Sequence, residues 1–243
     1  MSPSDQYAQM VSHNLSYIQE QQKKYILVAA QWLSQTLVKD GLLYITGTGH
    51  SHMIAEEIFY RAGGLAAIYP ILEPALMLHE GAIKSSSVER LEGLAKVLMQ
   101  DLSLGQHDLL VVASNSGRNA FPVEIVSEAK ARGCKTIAIT SLAHSQKVSS
   151  RHSSGQRLFE VADLVIDNGV PYGDGSIALS GLASKIGPLS SIAGLFIINS
   201  IIVEATSLAI QQGHIPDIFV SANIEASEQT LDLERWRKRI KRL

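Results

Sequence analysis

One cysteine in 243 residues, Cys134, leaves no partner for an intrachain disulfide. It stands between Gly133 and an apolar run, with no second thiol and no obvious histidine partner, so a reduced, part-buried side chain is expected rather than a nucleophile. No Gly-Lys-Ser/Thr triplet occurs, which excludes a Walker A loop. No His/Cys/Asp/Glu group has the spacing of metal ligands, so neither a metal nor any other cofactor is expected. Charge of one sign is missing too. A formal net charge of −2 gives no global reason to expect nucleic acid or an anionic membrane surface as partner. Long hydrophobic runs are absent: the most apolar stretch, Ile192 to Val203, is interrupted by Asn199 and Ser200 and followed by Glu204, and is expected to be too short to span a bilayer. The polar opening MSPSDQYAQM, with Asp5 inside it, is unlike a signal peptide, which makes a cytoplasmic location the expectation.

What is present is an ordinary globular composition, 46% hydrophobic and 18% charged, and a core unit from Asp108 to Ser141. Leu109–Ala113 and Ile137–Thr140 are short apolar runs suited to strands buried on both faces. Between them Pro122–Arg132 has helical spacing and ends at Gly133. This is a βαβ unit with a polar turn, Ser114-Asn115-Ser116-Gly117-Arg118-Asn119, at the carboxyl end of its first strand. Free N–H groups and a helix amino terminus suit such a turn to an anion such as phosphate. The alternative is that Ser and Asn merely cap the helix. The arrangement recurs upstream, where the strand Leu42–Ile45 runs into Thr46-Gly47-Thr48-Gly49-His50-Ser51-His52 and a helix from Met53 to Arg61. His52 stands where a dinucleotide fingerprint requires its third glycine, so phosphate binding by Ser51 and Ser116 is what remains.

The other expected elements are a helix over Ser4–Lys39, a strand over Ala66–Leu72 and a helix over Val88–Gln100 capped by Ser87. A strand over Val161–Val165, a helix over Pro188–Gln212, a last strand over Ile215–Val220 and a closing helix over Glu225–Leu243 follow. Together they give one domain over residues 1–243: an amino-terminal helix to residue 40, a core over 41–222, and a carboxyl-terminal helix over 223–243. The basic cluster Arg235, Arg237, Lys238, Arg239, Lys241 and Arg242 is read as a solvated helix face among acidic neighbours, not a nucleic-acid site. Glu204 interrupts a helix apolar nearly all round and is a candidate base, with an exposed rim position as the alternative. His79 and Glu80, adjacent after a Pro-containing loop, are a candidate acid/base pair, with plain surface residues as the alternative. His144 and His152 lie in serine-rich loop sequence.

The segments SNSGRNAFPVEIVSEAKARGCKTIAITS and GTGHSHMIAEEIFYRAGG resemble the signature and the first phosphate-contacting turn of the sugar isomerase (SIS) domain. The resemblance covers Val38 to Ala222 and is closest to an uncharacterised, phosphoheptose isomerase-like subgroup that shares DNGVPYGDG and the triplet Ser221-Ala222-Asn223. It implies an α/β fold, a three-layer α-β-α sandwich with a five-stranded parallel sheet, assembled as a homodimer or homotetramer. It also implies a phosphorylated sugar held by Gly49, Ser51, Ser114, Ser116, Gly117 and Asn119, with no cofactor. The activity implied is aldose–ketose isomerisation by proton transfer through an enediol, with Glu204, His79 and Glu80 as candidate catalytic groups; the alternative is a non-catalytic phosphosugar-sensing module. His79 falls in a stretch similar to the His-Gly motif of arabinose-phosphate isomerases. Arg118 replaces a common Glu, and Arg61 stands where phosphoheptose isomerases carry their catalytic Glu. A nicotinamide-dependent oxidoreductase fits the architecture but not the fingerprint.

Overall fold

The computed structural model describes residues 1–221 and 231–243. Helix α1 (Pro3–Gln21) starts at a capping box, in which Ser2 Oγ accepts from the Asp5 N–H and the Asp5 carboxylate accepts from the Ser2 N–H, with Pro3 in the first turn. The expected single helix over Ser4–Lys39 is in fact two, because the chain breaks at Gln22 before α2 (Lys23–Val38). Gln22 is buried, and its side-chain oxygen accepts the Asp167 N–H at 3.1 Å. Helical periodicity runs on through this junction and does not reveal it.

Strand β1 (Leu43–Gly47) leads through a 3-10 turn (Gly49–His52) to α3 (Met53–Ile58) and β2 (Ile68–Pro70). Two 3-10 turns, Pro74–Leu76 and Leu78–Glu80, precede α4 (Ala82–Val88) and α5 (Leu94–Gln100). The expected helix over Val88–Gln100 is therefore broken, and Ser87 does not cap it; its hydroxyl donates back to the Ile83 carbonyl at 3.0 Å. Then come β3 (Leu109–Ala113), α6 (Ala120–Ala131), β4 (Lys135–Thr140), α7 (Leu142–Ser145), α8 (Leu158–Val161) and β5 (Leu164–Asp167). A small hairpin of β6 (Gly175–Ile177) and β7 (Ile186–Pro188) leads into α9 (Ser190–Gln211). Of the expected closing helix, α10 (Leu233–Arg239) is present; the part of that expectation over 222–230, with Ala222 and Asn223, lies outside the described residues.

The five strands form one parallel sheet in the order β2-β1-β3-β4-β5. Ile215–Val220 adds no strand to it; Ile218 makes a single antiparallel bridge to Leu65 instead. From β1 the chain goes outward to β2, then returns to place β3 on the other side of β1. Right-handed crossovers running in opposite directions put α3 and α6 on opposite faces. Helices α2, α3 and α9 pack together on one face, and α5 lies with α6 on the other. Every residue of β1 and β3 is buried, as a sheet covered on both sides requires.

At 22 residues α9 is long and apolar enough, by length and composition, to cross a membrane, which corrects the expectation from the sequence about its length. Its buried positions, among them Ala193, Ile197, Ile201 and Ala205, face this chain's own core. Gly194 permits the closest approach, since a Cβ there would lie 2.3 Å from Ile54 Cδ1. Several of the basic residues of the tail are engaged within the chain. Arg235 and Arg239 pair with Asp40, at 2.5 and 2.8 Å, and Arg242 donates to the Leu72 carbonyl.

Candidate functional site

The sequence shows two polar turns at strand ends; the structure makes them one site. Gly47 pairs with Ala113 in the β1–β3 register, so the turns that follow stand side by side at the carboxyl edge where the strand order switches direction. A Cβ on Gly47 would lie 2.5 Å from the Ser51 carbonyl carbon, so only glycine lets the first turn fold back over its strand. Gly49 and Gly117 take φ of +56° and +57°.

Ser51 and Ser116 are half-buried, and neither hydroxyl has a hydrogen-bond partner among the described residues. Ser114 is buried and spends its oxygen within the turn, accepting the Gly117 N–H at 3.2 Å. Asn119 precedes α6 but caps nothing with its side chain; its Oδ1 accepts from Arg151 at 3.0 Å. The helix end itself has little left to offer an anion, because the Phe121 N–H is taken by the Glu89 carbonyl at 3.1 Å and Pro122 has none. The turn N–H groups of Ser116, Arg118 and Asn119 have no acceptors among the described residues, the arrangement that suits an anion.

A ring of charge around these turns escaped the reading of the sequence. Arg118 is held by Ser149, its Nε donating to the carbonyl at 2.9 Å, and its own carbonyl accepts the Arg151 N–H at 2.7 Å. Desolvation, then the like charges of Arg118 and Arg90, hold the Arg151 pKa below its usual value against the pull of Glu89. Arg118, Arg90 and Glu89 thus all act on Arg151 electrostatically. Glu89 also receives the Thr48 hydroxyl at 2.6 Å, which brings an acid to the first turn. Its position at the head of an expected surface helix gave no signal of this.

A third wall comes from β4 and β5. The Asn115 carbonyl accepts from the Thr140 hydroxyl and the Ser141 N–H, both at 3.2 Å, and its side-chain oxygen accepts from Asn168 at 2.9 Å. Asn14 in turn donates to the Asn168 carbonyl at 2.9 Å. This buried network fixes the serine turn from behind. His144 stands at the rim against Tyr172, ring centroids 4.7 Å apart. Burial lowers its pKa below the usual imidazole value, opposed by Asp174 and assisted by Arg118.

The candidate acid/base residues fall elsewhere. His79 and Glu80 are exposed in the 3-10 turn Leu78–Glu80, and Glu80 pairs with Lys84 at 3.1 Å. That turn borders the first loop: Leu78 Cδ2 lies 3.9 Å from where a Cβ on Gly49 would be. Glu204 is exposed on α9, in a groove with Gln19, Lys23, Phe196 and Val203, and within one chain it does not join the serine turns. It lies about 15 Å further along the helix than Gly194, at ~1.5 Å per residue. His52 is spent locally, bonded to the Gly49 carbonyl and 3.3 Å from Glu56. Arg61 pairs with Glu57. Far apart in the sequence, with no ligand spacing there, Glu92, Glu124 and His152 bring donor atoms within 4.8 Å of one another on the flank of α6.

A family model described as the SIS domain matches residues 6–141. A UPF0309 protein of Halalkalibacterium halodurans is 44% identical over 91% of this chain and 92% of its own length. A second UPF0309 protein, from Thermoanaerobacter pseudethanolicus, is 43% identical over 98% of this chain and 99% of its own. Among solved structures, the phosphoheptose isomerase of Neisseria gonorrhoeae superposes with a TM-score of 0.52 at 19% identity, over 85% of this chain and all (100%) of that one. The Vibrio vulnificus NanR protein, complexed with ManNAc-6P, gives 0.53 at 17% identity, over 86% of this chain and 65% of that one.

Proposed function

The chain belongs to the SIS domain family, and from that premise we propose that it binds a phosphorylated sugar, with the phosphate seated between the Gly49–His52 turn and the Ser114–Asn119 turn. The observation that carries this reading is the pair of unspent hydroxyls, Ser51 and Ser116, on adjacent turns beside Arg118 and Arg151. Small donors let the ligand approach the backbone closely, and the guanidinium groups neutralise its charge. Gly49, Ser114, Gly117 and Asn119 hold the turns in shape.

The chemistry proposed is aldose–ketose isomerisation, in which a base takes the proton from C2 and returns it to C1 of an enediol. Glu89 is the carboxylate best placed for that transfer within one chain, since Thr48 aims it at the first turn. A positioned general base contributes typically ~10²–10⁴-fold in rate. His79, on the loop bordering Gly49, is the accompanying acid. Glu204 and Glu80 do not reach these turns within one chain. Glu204 lies on a face of α9 where Val203 and Ile210 are exposed, 68% and 52%, and a second copy covering that face would give Glu204 a route to a neighbouring site. The second reading, a phosphosugar sensor, is favoured by Arg61 standing where phosphoheptose isomerases carry their catalytic Glu.

Titration of sugar phosphates and their parent sugars by calorimetry tests the binding. A phosphosugar is expected to bind and its parent not, and Ser116→Ala to weaken every phosphosugar; equal affinity for parent and phosphate overturns the site. Exchange of the C2 proton with solvent, followed by NMR, separates the two readings. Glu89→Gln is expected to abolish exchange while binding survives, and binding without any exchange in the natural chain leaves the sensor.

A further inference from the structure

Beside the sugar site stands a second constellation that the isomerase chemistry does not use. Glu92 lies in the segment between α4 and α5, Glu124 on the second turn of α6, and His152 in the loop between α7 and α8. Their ligand atoms lie within 4.8 Å of one another, and His152 Nε2 is 3.7 Å from Glu124 Oε1. Glu124 and His152 are largely shielded from solvent, their side chains 14% and 16% exposed.

The carboxylate of Glu124 is only half satisfied. Oε1 accepts the Gly93 N–H at 2.7 Å, while Oε2 is sealed from solvent with no hydrogen-bond partner among the described residues. A buried, unpaired carboxylate oxygen is costly unless a cation meets it. The histidine is oriented from behind. Its Nδ1 accepts the Ser154 N–H at 3.3 Å and lies 2.7 Å from Ser154 Oγ. These bonds fix the ring with Nε2 towards Glu124, as an outer partner fixes a metal-bound imidazole. Glu92 is fixed as well, accepting the N–H and hydroxyl of Ser153 at 2.6 and 2.8 Å.

We propose that Glu92, Glu124 and His152 form a binding site for a divalent transition-metal ion, zinc in the first instance. One imidazole and two carboxylates favour zinc over the all-oxygen cages that calcium and magnesium take. Small side-chain rotations close the 4.8 Å spread onto bonds of about 2.0–2.2 Å. The ion clamps three chain segments distant in sequence, and the loop it clamps includes Arg151, the residue that reaches Asn119. It is a fastening beside the sugar site, independent of the reading of that site as catalytic or sensory.

The test uses the full chain, stripped with a chelator and dialysed against zinc chloride with no sugar present, and counts bound metal by mass spectrometry. One ion per chain is expected. Glu124→Gln keeps an oxygen for the Gly93 N–H, and Glu92→Gln changes an exposed position, so neither needs to disturb folding; with His152→Ala, each is expected to weaken zinc binding by at least about tenfold. His107→Ala, at an exposed histidine elsewhere, is the control and should bind as the natural chain does. No stoichiometric zinc in the natural chain, or equal binding by all the variants, overturns the proposal.

Discussion

At the scale of single residues, Cys134 shows how burial turns into a measurable property. It is 3% exposed, its sulfur lies 3.3 Å from the carbonyls of Asp108 and Lys135, and burial, followed by the charge of Asp108, pushes the thiol up to about 12 from 9.0. Its native thiolate fraction at pH 8 is therefore small, and a thiol reagent should modify it at least ~100-fold more slowly in the native chain than in denaturant. Linkage gives the sign for stability. Between pH 9.0 and about 12 the unfolded chain releases this proton while the folded chain keeps it, so the folded state loses stability as pH rises through that window. Urea midpoints measured across it should fall more shallowly for Cys134→Ala, and unchanged slopes would remove Cys134 as the cause. The residue scale is also where the sequence was least complete. Ser51 and Ser116 could be singled out because small hydroxyls beside glycines follow two apolar runs, a local pattern. Glu89, Arg151 and Glu124 are not, because charged side chains in helices and loops look alike until the fold says which ones meet.

Elements show the same division between local and distant causes. The strands β1, β3 and β4 and the helix α6 were readable because apolar runs and helical spacing are local properties. The break at Gln22, the split of the segment over Val88–Gln100 and the β6–β7 hairpin were not, because each depends on partners far along the chain. The motif DNGVPYGDG illustrates what such partners do. Asp167 accepts the N–H groups of Leu142 and Gly169, Asn168 braces the serine turn, and Asp174 caps α9 from outside the helix. The Asp174 carboxylate accepts the N–H groups of Leu189 and Ser190 at 2.9 Å and the Ser190 hydroxyl at 2.6 Å. Replacing it with alanine should cost about 1–2 kcal/mol, as other lost caps do. Asp174→Asn, which keeps an acceptor, should cost less. Denaturant unfolding of both variants checks this, and equal losses would show that charge rather than hydrogen bonding anchors the helix.

For the whole molecule, the unfinished surface is the outer face of α9. Val203 and Ile210 are exposed there, and Phe196 lines the groove that α9 forms with Gln19 and Lys23. An apolar strip on a core helix is the kind of surface that association covers. Val203→Glu should therefore convert an oligomer to monomer in sedimentation velocity, whereas a natural chain that is already monomeric would leave the strip without a partner of its own kind.

The neighbouring of β1 and β3 carries a consequence in time as well as in space. The Leu42 N–H donates to Asp108 Oδ1 at 2.7 Å across a sequence separation of 66 residues, and the two turns after β1 and β3 meet only when that long loop has closed. Closing such loops and pairing parallel strands are slow steps in folding. If the phosphate sits between these turns as proposed, neither half of the chain is expected to hold it by itself, whether in a fragment or on a growing nascent chain. Binding competence belongs to the finished sheet, and it should return on refolding together with the last-formed native structure.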